Sequence, residues 1–113
     1  MDARRLRDEA EKMRTTAQSL RNEADGMKKT ADGYEQNGGD GSAERQQAED
    51  MERRAKELEQ EAETAEAQAA ANEAEAQRVE QEQARIKAEA DQKIKALDDK
   101  KNRLVGGRIG LFG

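Results

Sequence analysis

The sequence contains no cysteine, no histidine and no proline, and each absence excludes something. Without cysteine the chain can form neither a disulfide nor a thiolate metal site. Without histidine it lacks the usual general base of nucleophilic catalysis and a ligand of di-iron helical bundles. The absence of proline, together with many Ala, Glu, Gln, Lys and Arg residues, favours long helices. We therefore expect no enzymatic activity, no cofactor and no bound metal.

Apolar residues are scarce as well: 33% of the chain is hydrophobic, 2% is aromatic and 42% is charged. This composition rules out a sizeable globular core. No apolar run approaches membrane-spanning length, and the first twelve residues, MDARRLRDEAEK, lack the apolar stretch of a signal peptide. We expect a protein of the cytoplasm or of the interior of a virus particle, with no recognisable secretion signal and no membrane partner.

The apolar residues that are present recur at alternating intervals of three and four over residues 1–36, which is the heptad repeat of a coiled coil. If the first position of each pair is called a and the second d, every a residue is alanine and every d residue is larger. The residues are Ala3, Leu6, Ala10, Met13, Ala17, Leu20, Ala24, Met27, Ala31 and Tyr34. This regularity predicts a helix over residues 1–36 and argues against disorder.

A glycine-rich loop, NGGDGS at residues 37–42, interrupts the repeat, and Ser42 is a suitable N-cap for a second helix. A second heptad series then predicts a helix over residues 43–105. Ion pairs between neighbouring turns, such as Glu52 with Lys56, should support it. The a and d positions of this series are Ala48, Met51, Ala55, Leu58, Ala62, Ala65, Ala69, Asn72, Ala76 and Val79.

A short loop between two long amphipathic helices makes them antiparallel neighbours. Pairing a with d across the hairpin then places small residues opposite large ones, for example Ala55 opposite Met27. The pattern resembles the alanine-coil packing motif, in which alanine at one heptad position lets two antiparallel helices approach closely. Asn72 is the polar exception: it either sets the register or is tolerated at a hydrated end. The prediction is an all-α, elongated helical hairpin with a long overhanging second helix.

The overhanging part of the second helix carries its own apolar seam, interrupted by Gln83, Lys93 and Lys101. An exposed apolar stripe on a long helix requires other helices to cover it. We expect homo-oligomerisation there, or a groove that binds the helix of a partner. The candidate oligomerisation residues are Val79, Ile86, Ala90, Ile94, Leu97 and Leu104.

The chain ends on GGRIGLFG, an apolar, glycine-rich segment at residues 106–113. Gly106 is a suitable residue to end the second helix after Val105, which leaves a short non-helical tail. A few large apolar side chains on such a tail are enough to fill a pocket or extend a sheet edge on another protein. The alternative is a frayed terminus without a role. The candidate docking residues are Arg108, Ile109, Leu111 and Phe112.

Charge is distributed unevenly along the chain, whose net charge is −5. Residues 44–83 carry thirteen acidic and five basic residues, whereas residues 84–113 carry eight basic and four acidic ones. The basic residues are interleaved with acidic ones, and residues 84–108, which hold all of them, contain no aromatic residue to stack on a base. This favours a solvated helix face over nucleic-acid binding.

These features predict a structural or assembly protein whose partners are further copies of itself and a larger protein assembly, with no small-molecule substrate. In general plan, a charged coiled coil with a short terminal binding segment, the chain is similar to phage scaffolding proteins, although no motif is shared. The alternative is an adaptor or assembly chaperone that holds a client helix in the groove of the overhang.

Overall fold

A computed structural model describes the backbone of residues 2–112 and the side chains of residues 2–105. In this range the protein forms two helices and no strands: α1, Ala3–Gln36, and α2, Ser42–Phe112. The all-α class and the helical hairpin are therefore confirmed. The second helix, with 71 residues, is also much longer than the first, with 34.

By its contacts the chain divides into two units, Met1–Glu73 and Ala74–Gly113. The first unit contains α1, the loop and the first part of α2. The second consists of the remainder of α2.

Helix α1 begins at Ala3 because Asp2 caps it. The Asp2 carboxylate accepts a hydrogen bond from the backbone N–H of Arg5 at 2.9 Å. The first N–H groups of a helix have no partner within it, and an aspartate at this position satisfies one of them. The same end of the helix favours negative charge.

Residues 37–41 connect the helices and end α1 with glycine. The N–H of Gly39 donates to the carbonyl of Tyr34 at 2.6 Å, and the N–H of Asn37 donates to the carbonyls of Gly33 and Tyr34. Gly38 has a φ of 80°, the left-handed conformation that glycine adopts at little cost. The loop therefore ends the helix and satisfies carbonyl groups of its last turn.

The start of α2 differs from the prediction that Ser42 is the N-cap. The helix begins at Ser42 itself, and the N–H of Arg45 donates to the carbonyl of Gly41 at 3.0 Å. The capping carboxylate belongs to Asp40, which accepts from the backbone N–H of Ser42 at 2.9 Å and from the Ser42 hydroxyl. These hydrogen bonds, first that of the hydroxyl, lower the pKa of Asp40.

The end of α2 also differs from the prediction, because its backbone is helical to Phe112 and does not stop at Val105. Glycine in a helix costs only about 1 kcal/mol per residue relative to alanine. Unlike proline it keeps its N–H, so Gly106 permits a helix end without forcing one. The predicted non-helical tail is thus corrected for the backbone of residues 106–112.

Alanine forms most of the hairpin core, as the heptad pattern predicted. The buried apolar residues are Ala10, Ala17, Ala24 and Ala31 of α1 and Ala48, Ala55, Leu58, Ala62 and Ala69 of α2. Met13 and Leu20 pack against the cluster formed by Ala17, Ala55 and Leu58. The large d residues are mostly half-buried and border the alanine seam. The buried series ends at Ala69, because the next alanine of the repeat, Ala76, is exposed.

The turn between the helices is as tightly packed as the seam. A Cβ atom added to Gly41 would lie 2.8 Å from the Cβ and 2.8 Å from the carbonyl oxygen of Ala31. Such contacts are shorter than packed carbon atoms tolerate. Only glycine therefore fits at residue 41 without displacing α1.

Candidate functional site

Every side chain at residues 73–105 is exposed. Here lie the six residues predicted to mediate self-association, which we call the apolar stripe: Val79, Ile86, Ala90, Ile94, Leu97 and Leu104. Successive residues of an α-helix are about 100° apart around its axis. The six residues therefore fall within an arc of roughly 80° on one face of α2.

The large members of the apolar stripe are strongly exposed, with relative accessibilities between 47% and 66%. In the hairpin, by contrast, Leu58 is only 8% exposed. Val105, which the sequence analysis did not select, is 52% exposed as well. It follows Ile94 by eleven residues, or about three helical turns. That interval places it at the edge of the stripe and could have identified it.

Charged side chains beside the stripe pair within their own helix. Arg78 contacts Glu75 at 2.5 Å, and Arg85 contacts both Glu82 and, at 2.9 Å, Glu89. The hydrogen bond with Glu82 is the main reason that the pKa of Arg85 is raised. Pairs one turn apart support an isolated helix. These pairs therefore add to the helical stability of this segment.

Among the described residues, six ion pairs connect α1 to α2, and we call the five that recur every seven residues the cross-helix ladder. From one pair to the next, the residue number rises by seven in α1 and falls by seven in α2. Every residue of the ladder occupies the heptad position that follows d. The pairs are Arg7 with Glu73, Arg14 with Glu66, Arg21 with Glu59, Lys28 with Glu52 and Glu35 with Arg45.

Near the middle of the ladder, Arg21 and Glu59 form a two-pronged pair. The guanidinium Nε and Nη2 donate to the two carboxylate oxygens at 2.8 and 2.9 Å. This two-pronged geometry is the strongest form of an Arg–carboxylate contact. The hydrogen bond and the opposite charge raise the pKa of Arg21 and lower that of Glu59.

At the loop end of the ladder the charges are reversed. Arg45 of α2 donates to both carboxylate oxygens of Glu35, at 2.6 and 2.9 Å, and to Asp32 at 2.6 Å. Hydrogen bonding to Glu35 and then to Asp32 raises the pKa of Arg45, and Arg45 lowers that of Glu35. Because this pair has the opposite polarity, a hairpin shifted by one heptad would place like charges together.

The sequence analysis missed the ladder because it considered only pairs within one helix. Among the described residues, Glu52 pairs across the hairpin with Lys28 and not with Lys56. The signal was available as a seven-residue recurrence of basic residues at Arg7, Arg14, Arg21 and Lys28. On the other flank of the seam, Arg54 contacts Glu57 and Glu61 of its own helix. The described ion pairs between α1 and α2 thus all lie on one flank.

The described residues offer little for other chemistry. Among them, no three acidic side chains are grouped so as to hold a metal ion. A membrane crossing would also require a longer apolar stretch than any helix in the described part of the chain possesses. What the described surface does provide is a row of apolar side chains flanked by charge.

Comparison with protein-family models, with curated proteins and with solved structures finds no match for this chain. The predicted docking residues Arg108, Ile109, Leu111 and Phe112 lie outside the residues whose side chains the structure describes. The apolar stripe is therefore the surface from which a function can be argued.

Proposed function

We propose that this protein is a non-enzymatic structural or assembly protein, a coiled-coil component of a larger multi-subunit particle. It self-associates through the apolar stripe of α2, and it works in the cytoplasm or within a virus particle. It requires no cofactor and acts on no small molecule. The observation that carries the proposal is the exposure of five large apolar side chains on one face of a charged helix.

Such a stripe is unusual on a monomer. Burying a large aliphatic side chain is worth about 1.5–3 kcal/mol, so leaving a row of them in water forgoes a substantial stabilisation. Contiguous apolar surface of this kind marks an interaction site. A stripe that follows one face of a helix matches the shape of another helix.

A second attachment is proposed at the C-terminal end, where Arg108, Ile109, Leu111 and Phe112 dock onto another protein of the assembly. Since the backbone of α2 is helical to Phe112, we favour insertion into a pocket or groove over addition of a strand to a sheet edge. This part of the proposal rests on the sequence of the segment.

The test is the solution mass of the full chain, measured by light scattering after size exclusion over a range of concentrations. We expect a discrete oligomer. Replacing Ile86→Asp and Leu97→Asp together places charge in the stripe and should give a monomer. The matched control is the pair Gln81→Asp and Ala88→Asp, which adds the same two charges to the opposite face of the helix and should leave the oligomer intact. Helicity from circular dichroism verifies that all variants are folded.

Two outcomes decide between the proposal and its alternative. A chain ending at Val105 that keeps the same oligomer would assign self-association to the stripe and leave the terminal segment for another partner. A full chain that stays monomeric at all concentrations would overturn self-association. It would favour the adaptor or chaperone that binds a client helix in the same groove.

A further inference from the structure

We propose that the apolar stripe pairs with the stripe of a second copy of this chain in an antiparallel dimer, whose two-fold axis passes between Asp91 and Gln92. This inference rests on the self-association proposed above and specifies its partner, direction and register. The second copy is identified as the occupant because, when the helix meets itself in reverse, the charges beside the stripe complement one another without a repulsive pair.

The heptad phase of the hairpin continues through this part of α2, which is one uninterrupted helix. It assigns the residues that would face a partner helix. The a positions are Gln83, Ala90, Leu97 and Leu104, and the d positions are Val79, Ile86, Lys93 and Lys100. Ile94 lies beside d and widens the apolar face.

A parallel, in-register dimer conflicts with this assignment. It would place Lys93 against Lys93 of the second copy, and Lys100 against Lys100, inside the seam. On the flank, Glu82 would lie beside Lys87 of the second copy, but Glu75 would lie beside Glu80. Like charges that face one another destabilise a helix pair, and within a seam they are also partly removed from water.

An antiparallel pairing removes these conflicts in one register. Branched residues then meet branched residues at both ends of the interface. Lys93 lies opposite the small Ala90, and Lys100 lies opposite the polar Gln83. The aliphatic part of each lysine side chain can therefore extend past its neighbour and keep the ammonium group in solvent. The layers, each formed twice by symmetry, are Val79 with Leu104, Ile86 with Leu97, Ala90 with Lys93 and Gln83 with Lys100.

The flanking charges select the same register. In the hairpin, the residues that follow d pair across the two helices to form the cross-helix ladder. In two antiparallel copies of this segment, the residues that follow d pair in the same way, and Glu80 of one copy then lies against Lys101 of the other. On the other flank Glu82 lies against Arg103, where Arg85 of the same helix competes for Glu82. Each pair occurs twice in the dimer.

Neighbouring registers lose this complementarity. Shifting one copy by seven residues in one direction brings Lys87 against Lys87 of the second copy. Shifting it in the other direction brings Lys87 against Lys101. The first of these shifts also leaves fewer layers in which branched residues meet, because it places Ile86 opposite Ala90 and Leu104 opposite Asn72. The register with its axis between Asp91 and Gln92 is the one of these three in which no flanking pair is repulsive.

Direction and register can be measured with single spin labels, because the chain has no cysteine of its own. Gln77→Cys and Gln92→Cys place labels on exposed, outward-facing positions of the full chain. In the proposed dimer the two Gln77 labels are separated by about 43 Å along the helix axis, whereas the Gln92 labels lie side by side. Pulsed electron paramagnetic resonance reads both distances. A register shifted by one heptad changes the Gln77 distance by about 10 Å.

A charge swap tests the pairing itself. Lys101→Glu should weaken dimerisation about tenfold, because two attractive pairs become repulsive. Adding Glu80→Lys to Lys101→Glu should restore most of the affinity, since the pair is then reversed. The matched control is Lys95→Glu, which makes the same charge change on the outer face and should alter affinity much less.

The outcomes separate this inference from the proposed function. An oligomer whose Gln77 labels are as close together as its Gln92 labels would overturn the antiparallel arrangement and leave self-association intact. A mass above that of a dimer, or a swap that fails to restore affinity, would also contradict the dimer described here. A monomeric full chain would overturn both proposals together.

Discussion

Two regions of this protein use the same kind of helix in different ways. In the hairpin, a seam of alanines is buried, and its large d residues are covered in part by the opposite helix. At residues 74–105 every described side chain is exposed, although this region holds most of the branched residues of the chain. The region with the smaller side chains is thus the one that the chain packs by itself.

The difference shows that side-chain size alone does not determine which surface is buried within a chain. Alanine permits two helices to approach closely, and close approach brings the charged flanks near enough for the cross-helix ladder. Branched residues hold helices further apart but bury more area per residue. A seam of the second kind suits the association of separate chains, as proposed for the apolar stripe.

The largest expected effect comes from enlarging the alanine seam. Ala55 is fully buried, so Ala55→Leu should lower the free energy of unfolding by about 1–3 kcal/mol by forcing the helices apart. Urea unfolding followed by circular dichroism measures it. Ala67→Leu, at an exposed position of the same helix, is the control. Equal stability of the Ala55→Leu variant and the natural chain would show that the seam is not closely packed.

A somewhat smaller loss of stability is expected from a substitution in the turn between the helices. Gly41→Ala should destabilise the hairpin by about 1–2 kcal/mol, because the added Cβ would lie 2.8 Å from Ala31. Thermal unfolding of the two proteins gives the difference. Substitution without loss would mean that the loop moves away from α1 easily.

On the outer face of α1, a substitution is expected to raise the free energy of unfolding instead of lowering it. A Cβ added to Gly26 would meet no described atom within 4 Å apart from the backbone of its own helix. Gly26→Ala should therefore stabilise the hairpin by about 0.5–1 kcal/mol, since alanine loses less backbone entropy in a helix. The same unfolding experiment detects it. A loss of stability would reveal an additional helix packed on this face.

The smallest effect concerns the ladder and depends on pH. The pKa of Glu59 is lowered by its hydrogen bond with Arg21, so the ionised carboxylate favours the folded state. This contribution is complete above the ordinary glutamate pKa of about 4.5 and disappears as the pH falls through the lowered value. The Glu59→Gln variant should be slightly less stable than the natural protein at pH 7. This difference in the free energy of unfolding should disappear at acidic pH. Unfolding at a series of pH values measures it, and a gap that stays constant would contradict the assigned pair.

Part of this structure could be predicted from local regularity. The recurrence of alanine every seven residues predicted the buried seam, because a heptad brings the same face of a helix to its neighbour at each repeat. The glycines at residues 37–42 likewise predicted the turn. The predicted end of α2 at Val105 was wrong, because Gly106 permits a helix to stop but does not force it to. The cap was misassigned because Asp40 and Ser42 are both good acceptors, and their spacing does not reveal which one lies outside the helix.

The sequence by itself determined the helical period, the face that each helix turns inward and the antiparallel direction of the hairpin. These follow from interactions between residues close in the chain and from the shortness of the loop. Only the tertiary structure decided which acid pairs with which base and why glycine is needed at residue 41. Glu52 has basic neighbours on its own helix and across the seam. The choice of Lys28 depends on how closely the two helices approach, a distance set by the packing of the whole seam and not by any one residue.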